Sequence, residues 1–407
     1  MSSLALRSAP IYQRGRVRLL QVVESLHTGA VENWLMRVFM AAVTNQRQYD
    51  WTFFCTLGHP GRLDEQIKRL GGKIIYSRHP LGDKRAFFSN LRRVLKEGHY
   101  DILHCHHDFV SAIYLVASLG IPFRKRIVHV HNTDEGIPTP SALKKFLLKE
   151  PMRKTCVHFA DHVVGISKET LLRFTRDSQM KPGRDRVVYY GVDTSVFHEP
   201  IGSGEQFRTH LGLNADAKVL LFAGRMVSIK NPVFLVDVLS ELSKKDPKAI
   251  AVFAGAGNLE QTVRELAAAK NISDKVRVLG WRDDVSKLMR LSDLLIFPRL
   301  EEPKEGLGLV LVEAQAAGLP VLASPSITSD VQVVPELFEF LPLAAGPEAW
   351  ANKASELLSR DFISPQRALS LIESSQFSLD AGVSSLLSLY SDVAVHSPEG
   401  FHPLVAN

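Results

Sequence analysis

The segment LLIFPRLEEPKEGLGLVLVEAQAAGLPVLASP, residues 294–325, contains one complete strand–helix–strand unit. Its apolar runs at 294–299 and 319–324 show no polar–apolar alternation, which is typical of strands buried on both faces of a parallel sheet. Between them a helix is predicted over about 308–317, ended by Gly318. Two such strands joined by a crossover helix predict a parallel sheet with helices packed on it.

Apolar runs alternate with helical stretches in the same way along most of the chain. Strands are predicted at 16–23, 50–57, 73–77, 101–107, 126–131, 162–167, 186–191, 219–224, 249–255, 275–281, 294–299, 319–324 and 338–343. Segment 197–218 breaks this rhythm with Pro, Gly and polar residues and is predicted to be a linker. Two series of strand–helix units predict an α/β protein with two doubly wound, Rossmann-like parallel-sheet domains and a C-terminal helical tail.

These patterns also suggest domain boundaries. We predict a poorly ordered tail over 1–15, an N-terminal domain over 16–200 and a C-terminal domain over 201–380. A final helix and tail over 381–407 is predicted to pack back on the N-terminal domain. Because open parallel sheets bind ligands at the carboxyl ends of their strands, we expect the active site in a cleft that the two domains face.

Composition excludes several classes of protein. The chain has 407 residues, of which 45% are hydrophobic and 23% charged, so collagen-like, low-complexity and wholly disordered classes are excluded. The sequence shows no apolar run of the roughly 18 residues that a membrane-spanning helix needs, and no signal-peptide pattern. Three cysteines do not make a disulfide framework. A cytoplasmic location is therefore expected.

Positive charge is concentrated in the first half. Residues 1–200 contain 30 Lys and Arg against 18 Asp and Glu, which predicts an anionic partner or simply a solvated surface. Segment 141–160 is a candidate for peripheral contact with an anionic membrane, the alternative being an ordinary amphipathic surface helix. Its basic residues are Lys144, Lys145, Lys149, Arg153 and Lys154. No nucleic-acid-binding motif is present, so nucleic acid is not expected as a partner.

The segment FAGRMVSIKN, 222–231, places two cations just past a strand end. Arg225 follows Gly224, and Lys230 lies five residues further on. A guanidinium can bind two phosphate oxygens, and an ammonium adds a mobile point charge. The pair therefore predicts a diphosphate site, although two solvated loop cations would give the same sequence.

The opening segment adds two glutamates and a glycine-rich turn. Glu305 precedes Gly306, Leu307 and Gly308, where a backbone free of side chains can approach a ligand closely. The amides at the start of the following helix favour an anion. Glu313 lies inside this apolar helix and needs a partner such as a ribose diol, unless it occupies an exposed position.

Together these segments resemble glycosyltransferase family 4, a group of retaining transferases with the GT-B architecture. The family's GR-x4-K motif corresponds to Gly224, Arg225 and Lys230, and its paired glutamates correspond to Glu305 and Glu313, followed by AQAAGLPV. The resemblance covers about residues 16–395. Segments such as TGAVENWLM and HVHNT are most similar to the transferases of capsule and exopolysaccharide biosynthesis.

The resemblance implies roles for individual residues. The N-terminal domain would bind the acceptor and the C-terminal domain the donor. The catalytic residues implied are Glu305, His131, Arg225 and Lys230. The donor-binding residues implied are Gly29, Gly224, Arg225, Lys230, Gly255, Gly257, Trp281, Arg282, Glu305, Gly306, Leu307, Gly308 and Glu313.

The implied reaction moves a sugar from a nucleotide diphosphate sugar, with UDP-sugar favoured, to a glycan or polyprenyl-linked acceptor. Retention at the anomeric carbon is implied by the family, in surface polysaccharide biosynthesis at the inner face of the membrane. No Asp-x-Asp motif occurs, so we expect no metal and no cofactor. A GT-B-fold sugar-nucleotide epimerase and a non-catalytic nucleotide-binding scaffold remain as alternatives.

Two departures from the family's usual pattern affect the expectations. The first loop carries one glycine, Gly29, where two are usual. Tyr190 stands where the family has Asn, so this turn is expected to be structural. Five histidines end two neighbouring predicted strands, namely His104, His106 and His107, and then His129 and His131. Alternate residues of a strand face opposite ways and no Cys-x2-Cys or His-x3-His spacing is present, which argues against a shared zinc site. His104 and His106 are expected mainly to pack.

Overall fold

The structure is a computed structural model that describes residues 16–27, 29–45, 48–132, 142–200 and 204–391. Side chains are described for these ranges except at 45, 142–147 and 205–207. The tail predicted at 1–15 and the end of the final segment, from 392 onward, lie outside the described residues.

Two parallel sheets form the framework. The first has seven strands in the order β3-β2-β1-β4-β5-β6-β7, and the second has six in the order β10-β9-β8-β11-β12-β13. The strands are β1 (Val17–Val23), β2 (Tyr49–Cys55), β3 (Lys73–Tyr76), β4 (Ile102–Cys105), β5 (Lys125–Val130), β6 (His162–Gly165), β7 (Asp185–Val187), β8 (Lys218–Ala223), β9 (Ala249–Ala254), β10 (Val276–Gly280), β11 (Leu294–Phe297), β12 (Val321–Ala323) and β13 (Phe338–Phe340). Every strand predicted from an apolar run is present, and the doubly wound fold class is confirmed.

Helices connect the strands. They are α1 (Ala30–Asn45), α2 (Asp64–Arg69), α3 (Lys84–Gly98), α4 (Ser111–Ser118), α5 (Ala142–Phe159), α6 (Lys168–Thr175), α7 (Ser195–His198), α8 (Gly204–His210), α9 (Pro232–Leu242), α10 (Glu260–Ala269), α11 (Val285–Leu291), α12 (Leu309–Ala316), α13 (Gly346–Leu358), α14 (Pro365–Glu373) and α15 (Leu379–Ser391). Across the described ranges, no helix is both long enough and apolar enough to span a bilayer.

Local sequence explains where the elements begin. Helix α3 starts where the Asp83 side chain accepts a hydrogen bond from the Ala86 amide. Such an N-cap satisfies one of the amides left without a partner in the first turn. The helix then buries Phe87, Leu91 and Leu95 at helical spacing, which holds it against the first sheet's layer.

Apolar packing fixes the second sheet beneath the strand ends that matter for function. Leu220 and Phe222 of β8 pack in one cluster with Phe253 of β9 and Leu235 of α9. Trp350 of α13 is fully buried in the same cluster. Full burial of a side chain of this kind stabilises the fold by about 1.5–3 kcal/mol, so the loops above these strands rest on a rigid base.

The predicted linker contains regular structure. Helix α7 ends at His198, and helix α8 occupies Gly204–His210 inside the segment 197–218. Leu211 and Leu213 are buried just after α8. The prediction of a linker followed the Pro, Gly and polar residues and overlooked these two leucines. For this part of the segment it was wrong.

The chain divides into two compact units. The first unit comprises Met1–His129, Phe146–Val163 and Leu386–Asn407. The second unit comprises Val130–Lys145 and Val164–Ser385. The domain boundaries that the sequence suggests at 200 and 380 stay predictions.

The end of α15 lies on the first sheet, within the first unit. The Tyr390 hydroxyl is 3.0 Å from the Gln21 amide nitrogen and 2.7 Å from His104 Nδ1. Lys125 Nζ donates to the Leu389 carbonyl at 2.7 Å. Because all of these polar groups are buried, their hydrogen bonds keep the helix end in register with the strands.

Candidate active site

Two glycines bring the ends of β8 and β9 together in the second unit. Gly255 has φ of +142°, and a Cβ built on it would lie 2.0 Å from the Gly224 carbonyl oxygen. The Gly224 amide donates to Ala254, and the Gly255 amide donates to Gly280 at the end of β10. Only glycine fits at position 255, because any side chain would push the two backbones apart.

A third glycine supports the loop that carries Arg225. A Cβ on Gly257 would lie 2.2 Å from the Met226 carbonyl oxygen. The Met226 amide donates to Ala256 at 2.9 Å, so the two loops are hydrogen-bonded backbone to backbone. Arg225 itself is exposed, whereas the next residue, Met226, is buried. This places one of the two predicted phosphate-binding cations on a backbone held by glycines.

The other predicted cation, Lys230, is already paired. Its ammonium lies 2.7 Å from Oε2 of Glu305, and the side chains are 15% and 23% exposed. The same Oε2 lies 2.6 Å from Nε of Arg299, whose side chain is only 6% exposed. One carboxylate is therefore shared between two cations that the sequence brings from different loops.

Electrostatics keep this cluster charged. Burial alone would raise the pKa of Glu305, but the adjacent Lys230 and Arg299 outweigh it and hold that pKa below its ordinary value. Burial lowers the pKa of Lys230, and the pairing with Glu305 opposes that effect. Glu305 is consequently a carboxylate at neutral pH, suited to accept hydrogen bonds from hydroxyl groups or to face positive charge.

The turn after Glu305 is built for close backbone approach. A Cβ on Gly306 would lie 2.8 Å from the His131 carbonyl oxygen, so a larger residue there would displace the turn. Leu307 is buried, and Gly308 adopts φ of +68° immediately before α12. The sequence predicted this helix start, and a left-handed residue with no side chain leaves its first amides accessible.

The other predicted donor residues occupy different environments. Glu313 is half-buried on α12. Trp281 is 75% exposed and follows Gly280, whose carbonyl accepts from Gly255. Arg282 is engaged by Asp284 in an ion pair, so its guanidinium would have to change partner before it could bind a ligand.

Gly29 belongs to the first unit. A Cβ on it would lie 2.1 Å from a carboxylate oxygen of Glu32, which folds back over the loop. Burial raises the pKa of Glu32. The single glycine of this loop is thus covered by the first turn of α1.

Two family descriptions match adjacent parts of the chain. Residues 40–196 match "Glycosyltransferase Family 4", and residues 203–371 match "Glycosyl transferases group 1". Together they cover most of the chain. The chain is thus a glycosyltransferase of the family 4 type. The family 4 enzyme is therefore a transferase of the glycosyl class, as the sequence motifs predicted.

Relatives extend the same finding over nearly the whole chain. "Putative glycosyltransferase EpsF" from Bacillus subtilis (strain 168) is 28% identical over 384 residues, covering 92% of this chain and 96% of EpsF. An Escherichia coli "UDP-Gal:alpha-D-GlcNAc-diphosphoundecaprenol alpha-1,3-galactosyltransferase" is 26% identical over 295 residues, covering 68% of this chain and 72% of that enzyme. The crystal structure of Anabaena Alr3699/HepE in complex with UDP has a TM-score of 0.74 at 17% identity, covering 93% of this chain and all of that chain. The transferase has the expected GT-B fold.

One residue to which the sequence gave no chemical role contacts a predicted catalytic residue of the transferase. The Tyr190 hydroxyl is hydrogen-bonded to Nδ1 of His131, and both side chains are buried in the second unit. Tyr190 was expected only to shape its turn. Because it replaces the family's Asn with a longer side chain, it reaches an imidazole 59 residues away, which no local pattern predicts.

The histidines of β4 and β5 are arranged differently from expectation. His104 and His106 are two residues apart and so share a face of the sheet, where their rings lie 4.2 Å apart. His129 joins them on that face, and one nitrogen from each of the three lies within 4.8 Å of the others. The facing argument against a shared site was therefore wrong. The rings of His104 and His129 stack in parallel, however, with 1° between their planes, whereas metal ligands direct their ring-plane lone pairs to one point. Metal independence stays a prediction.

One of the basic residues predicted to contact a membrane is buried. Arg153 of α5 is buried and bonded to Glu150 at 2.8 Å, so it cannot meet a membrane surface. Helical spacing alone did not distinguish it from exposed Lys154. Lys149 lies over the ring of Phe109 at 5.6 Å, and the side chains of 142–147 are outside the described residues.

Proposed function

We propose that this family 4 transferase moves a sugar from a UDP-sugar to a glycan or polyprenyl-linked acceptor, with retention and without a metal ion. The observation that carries the proposal is the Lys230–Glu305 ion pair beside a glycine-lined backbone, with Arg225 near enough for its charge to lower the pKa of Lys230. Two cations and the amides of a helix start would supply the positive charge that a leaving diphosphate needs.

Each step follows from a described side chain. The diphosphate would lie between Arg225 and Lys230, and its departure with the bonding electrons would be stabilised by both charges. Glu305, held ionised, would accept hydrogen bonds from donor-sugar hydroxyls beside the Gly306 turn. Glu313 would accept from the ribose hydroxyls. In a front-face displacement, a leaving phosphate oxygen would take the acceptor's proton, which preserves the anomeric configuration.

The choice of substrates rests on relatives. The Escherichia coli relative is named for transfer from UDP-Gal to a diphosphoundecaprenol-linked acceptor, and HepE has been crystallised with UDP. EpsF spans almost the same length as this chain. These names support a UDP-sugar donor and a lipid-linked glycan acceptor in the synthesis of a surface polysaccharide.

The test is turnover of a panel of UDP-sugars, followed as UDP release in the presence of EDTA. We expect UDP release that survives EDTA and falls at least 100-fold in Lys230→Ala. Lys248→Ala is the matched control, because Lys248 is an exposed lysine of the second unit that pairs only with exposed Asp216 among the described residues. A strict requirement for a divalent ion, or equal activity in both variants, would refute the proposal.

Product analysis separates the remaining alternatives. An anomeric coupling constant equal to that of the donor supports retention, and inversion contradicts it. A sugar nucleotide that is isomerised without any acceptor would identify an epimerase instead. Nucleotide binding without turnover of any UDP-sugar would favour the scaffold.

Peripheral membrane contact is a separate part of the proposal. Helix α5 presents Leu148, which is 49% exposed, and exposed Lys154. Apolar and cationic side chains on one surface helix favour an anionic interface. We expect co-sedimentation with phosphatidylglycerol vesicles that high salt abolishes and that Lys149→Ala together with Lys154→Ala weakens. The control replaces Lys68 and Lys96 instead, and equal loss in that control would contradict a specific role for α5.

A further inference from the structure

Arg299 is the most buried charge at the proposed donor site, and no motif assigns it a role. Its residue is 5% exposed, and its Nε lies 2.6 Å from Oε2 of Glu305. Lys230 contacts that same oxygen at 2.7 Å. The two cations therefore share one carboxylate oxygen, although only Lys230 belongs to a recognised motif.

The backbone ties Arg299 to the turn that carries Lys230. Arg299 Nη1 donates to the Leu300 carbonyl at 2.8 Å, and the Arg299 carbonyl accepts from Ser324 Oγ at 2.6 Å. The Leu300 amide donates to Ile229, the residue before Lys230, at 3.0 Å. Arg299 is thus held at both ends and cannot follow a ligand outward, whereas Lys230 sits on a flexible four-carbon stem.

Arg299 can compensate the charge of Glu305 while a diphosphate binds. When a diphosphate binds, the Lys230 ammonium group must shift at least partly from Glu305 toward the phosphates. If Lys230 were the sole partner of Glu305, that move would leave a largely buried carboxylate uncompensated, which is strongly unfavourable. With Arg299 in place the carboxylate stays paired throughout.

We propose that Arg299 is a positioning residue that keeps Glu305 ionised and fixed while Lys230 exchanges its carboxylate partner for the donor diphosphate. The inference rests on the proposed function, because it needs a diphosphate at Lys230. It predicts that Arg299 affects diphosphate affinity without touching the diphosphate.

A double-mutant cycle on UDP affinity tests this directly. Calorimetric dissociation constants are measured for the full-length wild type, Arg299→Gln, Glu305→Gln and the double variant. We expect Arg299→Gln to raise the dissociation constant of UDP about tenfold, which corresponds to about 1.4 kcal/mol. The reason is that Glu305, without Arg299, pairs more strongly with Lys230. In the Glu305→Gln background the same change should matter less than twofold.

Three results would overturn the inference. An equal loss in both backgrounds would mean that Arg299 binds the diphosphate itself. No loss in either background would mean that Arg299 is only structural. Absence of nucleoside diphosphate binding by the wild type would overturn the proposed function and the inference with it, which keeps the two failures distinguishable.

Two further measurements guard against simple misfolding. Arg299→Lys keeps a cation near Glu305 and should recover most of the UDP affinity. Removal of Arg299 takes away one cause of the low pKa of Glu305, so the defect of Arg299→Gln should shrink on acidification as Glu305 becomes protonated. A defect that does not shrink between neutral pH and a pH below 4.5, the ordinary value for a glutamate, contradicts the mechanism even if the variant folds.

Discussion

Replacement of Glu305 by glutamine should make the free protein less stable and yet more responsive to nucleotide. The change leaves Lys230 and Arg299 facing each other without their shared anion. Breaking a fully buried pair costs 3–5 kcal/mol by order of magnitude. Because Lys230 is 15% and Glu305 is 23% exposed, solvent screens part of this, and we expect about 2 kcal/mol. That corresponds to a melting temperature lower by roughly 4–8 °C.

UDP should restore much of this loss, because its diphosphate replaces the missing anion. At a concentration of 100 times its dissociation constant, UDP stabilises the wild type by about 2.7 kcal/mol. If Lys230 no longer has to leave a carboxylate, a tenfold tighter complex adds about 1.4 kcal/mol more at the same concentration. The UDP-induced rise in melting temperature should therefore exceed that of the wild type by roughly 3–6 °C.

The assay is thermal unfolding with and without UDP, accompanied by turnover of the donor. Glu301→Gln is the matched control, since Glu301 lies exposed in the same loop and should behave like the wild type. We expect Glu305→Gln to lose turnover while it gains UDP-induced stabilisation. If it melts at the wild-type temperature without UDP, or gains less stabilisation from UDP than the wild type, the shared-carboxylate account is wrong.

The remaining predictions concern backbone fit, acid stability and the buried tyrosine. Gly255→Ala should weaken UDP binding at least tenfold by calorimetry, because the new Cβ would lie 2.0 Å from a backbone carbonyl oxygen. Gly280→Ala is the control, since a Cβ there meets open space. Its positive φ should cost about 1 kcal/mol of stability, and UDP affinity should stay unchanged. Burial lowers the pKa of His107 to about 4, so below pH 6.5 the unfolded chain binds a proton that the folded chain refuses. The free energy of unfolding should then fall by up to about 1.4 kcal/mol per pH unit between pH 6.5 and 4 in urea titrations, and His107→Phe should flatten that slope. Tyr190→Phe should lower turnover about tenfold at unchanged UDP affinity, because the hydroxyl orients His131. Unchanged steady-state kinetics would show that Tyr190 has no role in turnover.

Continuous apolar runs were enough to predict the framework. Segments such as 219–224 and 249–255 are short, apolar and bounded by glycine, and each forms a strand of the second sheet as expected. Strand burial depends on local composition, so the sequence carries that information directly. Gly308 likewise predicted the start of α12, because the backbone conformation at that position excludes most other residues.

Long-range pairing was not predictable in the same way. Arg299 follows a buried strand and resembles any loop cation, yet it meets Glu305 across a backbone turn, and Lys230 meets the same group from 75 residues away. Tyr190 and Arg153 were misjudged for a related reason. Whether a polar side chain turns inward depends on a partner that another segment supplies, and no local spacing records that partner.

The measurement that tests the central claim most directly is calorimetric titration of UDP into the full-length protein in EDTA, with Lys230→Ala and Lys248→Ala alongside. A metal-free diphosphate site built on Arg225 and Lys230 predicts UDP binding by the wild type and by Lys248→Ala, and a loss of at least tenfold in Lys230→Ala. Binding that appears only when a divalent ion is added, or affinity that Lys230→Ala leaves unchanged, would contradict it.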